Sequence, residues 1–254
     1  MCKLSIIIPT WNEERIIEKT LSTYVEYFSG KYDFEVIVMM DGCTDRTPAI
    51  VERFCENHPN VRYFSFPRKL GKGGAIIQGL KAAKAEFVAF TDADGSTSPE
   101  ELYRMVESIE DWDGILGSRW SDGSAILIKE SFGRRLSSRG FNLLVRLFFD
   151  LPFRDTQCGA KVFKNYVIRD VVDELGITNF AFDVDLLYRI STKGYKVKEI
   201  PIKWTHDNNS NLRLGKVIPT MFISVVGLRI KVSPLWPFIP KWFVRLLYDK
   251  MKNV

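Results

Sequence analysis

A chain of 254 residues that is 46% hydrophobic and 13% aromatic has the means to bury a large core, which excludes a disordered or low-complexity protein. The net charge of +5 hides an asymmetry. Residues 1–127 carry 14 Lys and Arg against 20 Asp and Glu, net −6, while residues 128–254 carry 22 against 11, net +11, so the second half calls for an anionic partner. Its basic residues are interleaved with Leu, Phe, Trp and Pro, which suits a membrane surface or phospholipid and argues against nucleic acid. Cys2, Cys43, Cys55 and Cys158 have no Cys-x-x-Cys spacing and no secretory signal precedes them, so a reducing, cytoplasmic setting is the expectation.

In chain order, short β-branched runs alternate with segments of helical period, which predicts an α/β fold with a mostly parallel sheet flanked by helices. Leu4 to Ile8 reads as a strand that Pro9 ends. A helix follows from about Asn12, with Ile16, Ile17, Leu21, Tyr24, Val25 and Phe28 at helical spacing. A strand over 35–40 runs into Asp41-Gly42, and Thr47-Pro48 opens the next helix. Strands are predicted over 61–66, 86–91 and 115–117, and helices over 73–83 and 99–108.

From Trp120 to Leu151 the alternation breaks down into a basic stretch with Leu136, Leu143, Leu144, Leu147 and Phe148 as an apolar stripe, read as a surface-lying helix. The charge-free run Val217 to Leu228 has twelve residues, short of the ~18 that argue for a spanning helix. A tail from Pro234 sets Trp236, Phe238, Trp242, Phe243, Leu246 and Leu247 against Lys241, Arg245, Lys250 and Lys252, the pattern of an interfacial anchor. The expected organisation is a catalytic domain over 1–215 and a basic, amphipathic, membrane-associating segment over 216–254, with no transmembrane span and a peripheral position on the cytoplasmic face.

In parallel sheets functional groups gather beyond the carboxyl ends of strands, which here are Pro9-Thr10, Asp41, Asp92-Ala93-Asp94 and Ser118-Arg119. Alternate residues of an extended segment point the same way, so Asp92 and Asp94 face one site. Oxygen ligands at that spacing suit a hard divalent cation that bridges a substrate diphosphate. Asp41 is favoured as an acceptor for a base N–H, and Asp45 as a helix cap. Gly71-Lys72-Gly73-Gly74 lacks the spacing of a Walker loop. It opens a helix, where backbone N–H groups and Lys72 can meet an anion, or where glycine simply allows close packing.

Arg119 and Arg134 are candidate phosphate forks, with Arg135 and Arg139 as membrane-facing charge. His58 and His206 have no ligand partners at zinc spacing, and no nucleophile elbow occurs. Asp183 and Asp185 either orient sugar hydroxyls or arginine, or serve as the acidic first turn of a helix.

Ser5 to Glu13, Asp41-Gly42-Cys43-Thr44-Asp45, Gly71-Lys72-Gly73 and Asp92-Ala93-Asp94 together resemble family 2 glycosyltransferases of the GT-A fold, specifically the polyprenyl-phosphate sugar synthases, over residues 3–215. Gly117-Ser118-Arg119 and Asp155-Thr156-Gln157-Cys158-Gly159-Ala160-Lys161 look more like dolichyl-phosphate glucose synthases than mannose synthases. Ser96 stands where mannose synthases tend to carry an amide.

The resemblance implies that Asp92 and Asp94 hold Mg2+ or Mn2+, and that Pro9, Thr10, Glu13, Asp41, Lys72, Gly73, Ala93, Ser210 and Arg213 surround the nucleotide-sugar. It also implies that Arg119, Arg134 and Ser138 bind the acceptor phosphate. Asn211 replaces a lysine usual beside the diphosphate, leaving Arg213 or Lys216 to substitute. The implied reaction moves a sugar from UDP-glucose to dolichyl phosphate with inversion. GDP-mannose as donor, a hydroxyl acceptor with a true general base, and a non-catalytic membrane adaptor are the alternatives.

Overall fold

The computed structural model describes residues 2–126, 132–205, 214–234 and 236, with the side chains of 125–126, 132–137 and 214–217 excepted. Seven strands form one sheet: β1 (Leu4–Thr10), β2 (Phe34–Asp41), β3 (Val61–Phe66), β4 (Phe87–Phe90), β5 (Gly114–Ser118), β7 (Lys161–Lys164) and β8 (Val197–Pro201). Their order is β3-β2-β1-β4-β7-β5-β8, and β7 alone runs against its neighbours. The short strands β6 (Ala125–Ile126) and β9 (Lys203–Trp204) pair separately. The mostly parallel sheet expected from the alternation is therefore present.

The helices are α1 (Ile17–Phe28), α2 (Thr47–Asn57), α3 (Lys72–Ala82), α4 (Pro99–Glu107), α5 (Phe132–Phe149), α6 (Asn165–Val171), α7 (Phe182–Thr192) and α8 (Leu214–Lys231). They cover both faces of the sheet, and this is why β1 and β2 carry unbroken apolar runs over 6–9 and 36–40 instead of alternating. Ile7, Ile37, Met39, Val88 and Phe90 pack into a core with α3 and α7. Leu4, Ile6, Ile8, Val36, Val38 and Met40 pack into a second core with α1 and α4 on the opposite face. Successive residues of one strand thus serve different cores.

Four expectations need adjustment. Strand β1 continues through Pro9, which stays in register with Met39 of β2, because proline withholds its donor only on the other side. On that side the β4 pairing closes with Thr91 N donating to Ile7 O, and the next bond would need a hydrogen on residue 9. Helix α1 opens at Ile17, since Asn12 takes a positive φ of 54° and the Glu13 and Glu14 N–H groups bond to Thr47 Oγ1 and Asp45 Oδ2.

The third adjustment concerns α5, which is half-buried instead of lying on the surface. Asn142, Val145 and Phe149 face the interior, Leu144 and Phe148 are partly covered, and Leu143 and Leu147 are exposed. Fourth, the region beyond Trp120 rejoins the sheet through β7 and β8. Among the described residues no helix is long and apolar enough to cross a membrane. Most of the tail from Pro234 lies outside the described residues.

Candidate active site

The chain winds outward from β1 to β2 and β3, then returns to the other side of β1 as β4, so the sheet has a switch point between β1 and β4. Ligand crevices open beyond the carboxyl ends of strands at such a point. Asp92-Ala93-Asp94 lies there. Helix α1 holds the segment from below: Thr20 Oγ1 donates to Ala93 O at 2.9 Å and Tyr24 OH to Thr97 O at 2.8 Å. Ala93 is buried, whereas Asp92 and Asp94 on either side of it stay partly exposed instead of turning into the apolar interior. Asp94 Oδ1 accepts from Ser96 N at 2.9 Å and from the Ser96 hydroxyl.

Two lysines reach this edge from opposite directions. Lys72, the first residue of α3, places Nζ 2.5 Å from Asp92 Oδ1. Because β7 is antiparallel, its first residue lies at the same edge as the last residue of β4, with Lys161 opposite Phe90. Lys161 is fully buried, and its Nζ lies 2.6 Å from Asp183 Oδ1 and 2.5 Å from Cys158 O. Burial alone would raise the Asp92 carboxyl, but Lys72, Lys161 and Arg119 hold it below the usual carboxylate range. For Asp94, burial and the neighbouring Asp92 charge raise the pKa despite the bonds from Ser96. Burial likewise raises Asp183, against the pull of Lys161 and Lys72.

The far wall is the loop that feeds β7. Asp155, fully buried, grips Arg119 with both oxygens, at 2.8 Å from Nε and 3.0 Å from Nη2, and accepts from Arg119 N at 3.1 Å. Burial pushes Asp155 upward, but Arg119 more than offsets this and its carboxyl sits below the ordinary range. Glu199 of β8 holds the same loop through Arg154 N and Asp155 N at 2.9 and 2.6 Å. Asn142 of α5 ties in as well: its Oδ1 accepts from Thr156 N and Oγ1, both at 2.8 Å, while its Nδ2 donates to Ser138 O at 3.0 Å. Gly159 then passes so close to Asp92 that a Cβ would collide with the carboxylate.

On the β1–β2 side, Pro9, Thr10 and Glu13 line the strand end, with Thr10 buried and donating to Ile8 O. Asp41, the candidate acceptor for a base N–H, is not an open carboxylate. Instead its two oxygens accept from Leu70 N at 2.5 Å and Gly71 N at 3.0 Å, each keeping a second lone pair. Gly71 has φ +83°, and a side chain there would meet Thr178 O at 2.5 Å. Gly73 packs against Phe182 with Asn179 O 2.7 Å from where a Cβ would lie. These glycines are used for close packing, and it is Lys72 between them that enters the site. Asp45 stands one residue before the N-cap of α2, which is Arg46, and accepts from Thr47 N at 3.0 Å and from Glu14 N at 3.1 Å, so it braces the turn into the helix. Trp11, exposed beside this wall, is covered by Lys69 Nζ at 3.2 Å from the ring centroid.

Thus Asp41, Lys72, Asp92, Asp94 and Arg119 converge on one edge of the sheet. Arg119 arrives with its fork engaged by Asp155 instead of open toward an acceptor. Ser138 lies on α5, one turn before Asn142. The side chain of Arg134, together with Ser210 and Arg213, falls outside the described residues. Of the two acids in α7, Asp183 belongs to the site, while Asp185 accepts from Gly176 N, Ile177 N and Arg189 Nε. Sequence reasoning gave no role to Lys161, Asp155, Asn142 or Glu199. The run Asp155 to Lys161 was visible as a motif, but its place beside Asp92 depends on the reversed strand.

The family model for glycosyl transferase family 2 matches residues 5–172. The glycosyltransferase AglD of Haloferax volcanii is 32% identical over 85% of this chain and 35% of its own length. The dolichyl-phosphate beta-glucosyltransferases of Drosophila melanogaster and Homo sapiens are 32% and 29% identical over 83% of this chain and 69% of theirs. This chain therefore spans about a third of AglD and just over two thirds of the dolichyl-phosphate enzymes.

Among solved structures, glucosyl-3-phosphoglycerate synthase from Mycobacterium tuberculosis, in complex with Mn2+, UDP and phosphoglyceric acid, superposes with a TM-score of 0.65 at 19% identity, covering 91% of this chain and 80% of that one. The mannosyltransferase PcManGT from Pyrobaculum calidifontis, in complex with GDP-Man and Mn2+, gives 0.59 at 17% identity over 98% and 69%. At those identities the likeness bears on the fold alone. Strand order, the family match and the curated relatives agree: the chain belongs to glycosyl transferase family 2, has the GT-A fold, and falls in the group of polyprenyl-phosphate sugar synthases.

Proposed function

We propose that the chain transfers glucose from UDP-glucose to a dolichyl or other polyprenyl phosphate, with inversion at the anomeric carbon. The observation that carries this is the Asp92–Asp94 pair: two partly exposed carboxylates at the switch point, one held ionised by Lys72 and the other raised by burial and by its neighbour's charge. Such a pair fits a Mg2+ or Mn2+ ion, which Asp92 and Asp94 would hold. When bound, that ion supplies charge neutralisation on the departing nucleoside diphosphate.

The chain's own residues supply orientation. Lys72 fixes Asp92 and adds positive charge at the diphosphate position. Asp41, with Pro9, Thr10, Glu13 and Trp11 near it, frames the nucleoside, and Gly73 and Ala93 keep the walls close. Ser210 and Arg213 are proposed to face the diphosphate. The remaining acids of the cleft, Asp155 and Asp183, are each bonded to a cation, Arg119 and Lys161. That suits an acceptor bringing its own negative oxygen, since a phosphate monoester with a second pKa near ~6 is largely dianionic at neutral pH and needs no base. Arg119, Arg134 and Ser138 are the proposed acceptor side. Positioning and charge compensation then carry the rate.

Residues 216–254 are proposed to hold the chain peripherally on the cytoplasmic face of a membrane. Flotation with anionic vesicles tests this, and flotation undiminished by deleting residues 234–254 would count against it. For the reaction, Asp94→Ala is expected to lower metal-dependent transfer from UDP-glucose to farnesyl phosphate by roughly a hundredfold or more. Full activity in that variant, or a preference for GDP-mannose over UDP-glucose, would overturn the respective part of the proposal.

A further inference from the structure

Trp120 follows Arg119 at the end of β5, and its indole Nε1 is buried with no hydrogen-bond partner among the described residues. A buried donor left unmade is destabilising, so one beside an open groove marks a place for an acceptor. The surroundings define what kind. The Trp120 ring has the Arg119 guanidinium carbon 5.6 Å and that of Arg139 5.1 Å from its centroid. A groove of about 280 Å³ opens there, lined by Trp120, Arg139, Asn142, Leu143, Arg146 and Arg154. Of the acids here among the described residues, Asp155 is engaged by Arg119, and Asp122 is fully exposed and 3.8 Å from Arg154. An N–H donor among guanidinium groups fits an oxyanion, and arginine forks match phosphate oxygens in particular.

The groove is contiguous with a larger one of about 550 Å³ through Leu143 and Arg146, which line both. Leu147, 75% exposed, Leu143, 56% exposed, Leu151 and Pro152 line it together with Arg146 and Asp150. Phosphate chemistry therefore gives way to hydrocarbon chemistry along one face of α5. We propose that Trp120 Nε1–H and Arg139 receive the phosphate of the polyprenyl acceptor, and that Leu143 and Leu147 receive its first hydrocarbon units. Arg119, engaged by Asp155, then contributes its field while Trp120 and Arg139 make the direct contacts. This inference rests on the proposed transfer to a lipid phosphate, and names where that phosphate is held.

The test uses the full chain and farnesyl phosphate as probe. Trp120→Phe keeps an aromatic ring and removes the N–H, and Arg139→Ala is a second variant at an exposed position. Each is expected to weaken farnesyl phosphate binding by roughly tenfold or more in calorimetric titration, the size of a lost hydrogen bond to an ionised group. UDP-glucose binding, farnesol binding and flotation with phosphatidylglycerol vesicles are expected to stay at wild-type levels. Wild-type affinity for farnesyl phosphate in both variants overturns the inference. So does loss of flotation with farnesyl phosphate binding intact, which assigns the groove to bilayer headgroups. Variant-sensitive farnesyl phosphate binding without glucose transfer would uphold this site and remove the transferase reading instead.

Discussion

Replacing Lys161 by Met removes a charge and keeps the volume, which isolates the role of the buried ion pair under the cleft. Lys161 Nζ lies 2.6 Å from Asp183 Oδ1. At an effective dielectric near 20, charges at that distance attract by about 6 kcal/mol, an amount largely offset by taking both ions out of water. Deleting one partner restores none of that offset and strands the other, which costs about 3–5 kcal/mol. Cys158 O loses its donor in the same step.

Asp183 is already raised by burial, with Lys161 foremost among the groups that pull it down, so the variant raises it further. A carboxyl raised in the folded state binds its proton before the unfolded chain does as pH falls. The deficit is therefore greatest well above the ordinary carboxylate pKa of about 4 and shrinks as pH falls toward it. Urea unfolding followed by circular dichroism at about pH 7.5 and about pH 5.5 reads both quantities. The double variant Lys161→Met with Asp183→Leu is expected to recover more than half of the loss. A single-variant loss below about 1 kcal/mol, or one equal at both pH values, would refute the stranded-charge reasoning.

Two further outcomes follow from the loop that feeds β7. Gly159→Ala puts a methyl into the Asp92 carboxylate. Turnover is expected to fall by about tenfold or more, with a weaker response in a Mn2+ titration, while the melting temperature changes little; an unchanged metal response would show that Asp92 has room to move. Asn142→Leu removes the acceptor shared by Thr156 N and Oγ1 and is expected to destabilise by about 1–3 kcal/mol. Combined with Thr156→Val, the losses are expected to be less than additive in a double-mutant cycle of melts, and strict additivity would show that the two side chains act separately.

Much of the sheet was legible because strands buried on both faces leave unbroken apolar runs, as in Ile6-Ile7-Ile8 and Val36 to Met40. Asp92 and Asp94 stood out since a strand of that kind ends immediately before them. The start of α1 was less visible: helical spacing begins at Ile16, and only the tertiary bonds from Glu13 and Glu14 N–H groups to Thr47 and Asp45 explain the preceding turn. The Gly71-Lys72-Gly73 segment was ambiguous for a related reason, as packing against Thr178 and Phe182 depends on residues a hundred positions away. Lys161 and Asp155 escaped because their chemistry depends on strand direction, which periodicity does not encode. Asp183 and Asp185 share one helical turn and one composition, yet only the partner across the fold distinguishes the cleft residue from the loop cap.

The reversed direction of β7 has a consequence for assembly. Its neighbours run toward the catalytic edge, whereas β7 starts there and runs away from it, clamped between β4 and β5 by pairs such as Val162 with Ala89 and Ile115. A slip of one residue would turn Lys161 toward the opposite layer and leave Asp183 without its cation. Zipping this strand into register and completing the cleft are consequently one event, so a refolding chain gains its working edge only when β7 locks between β4 and β5.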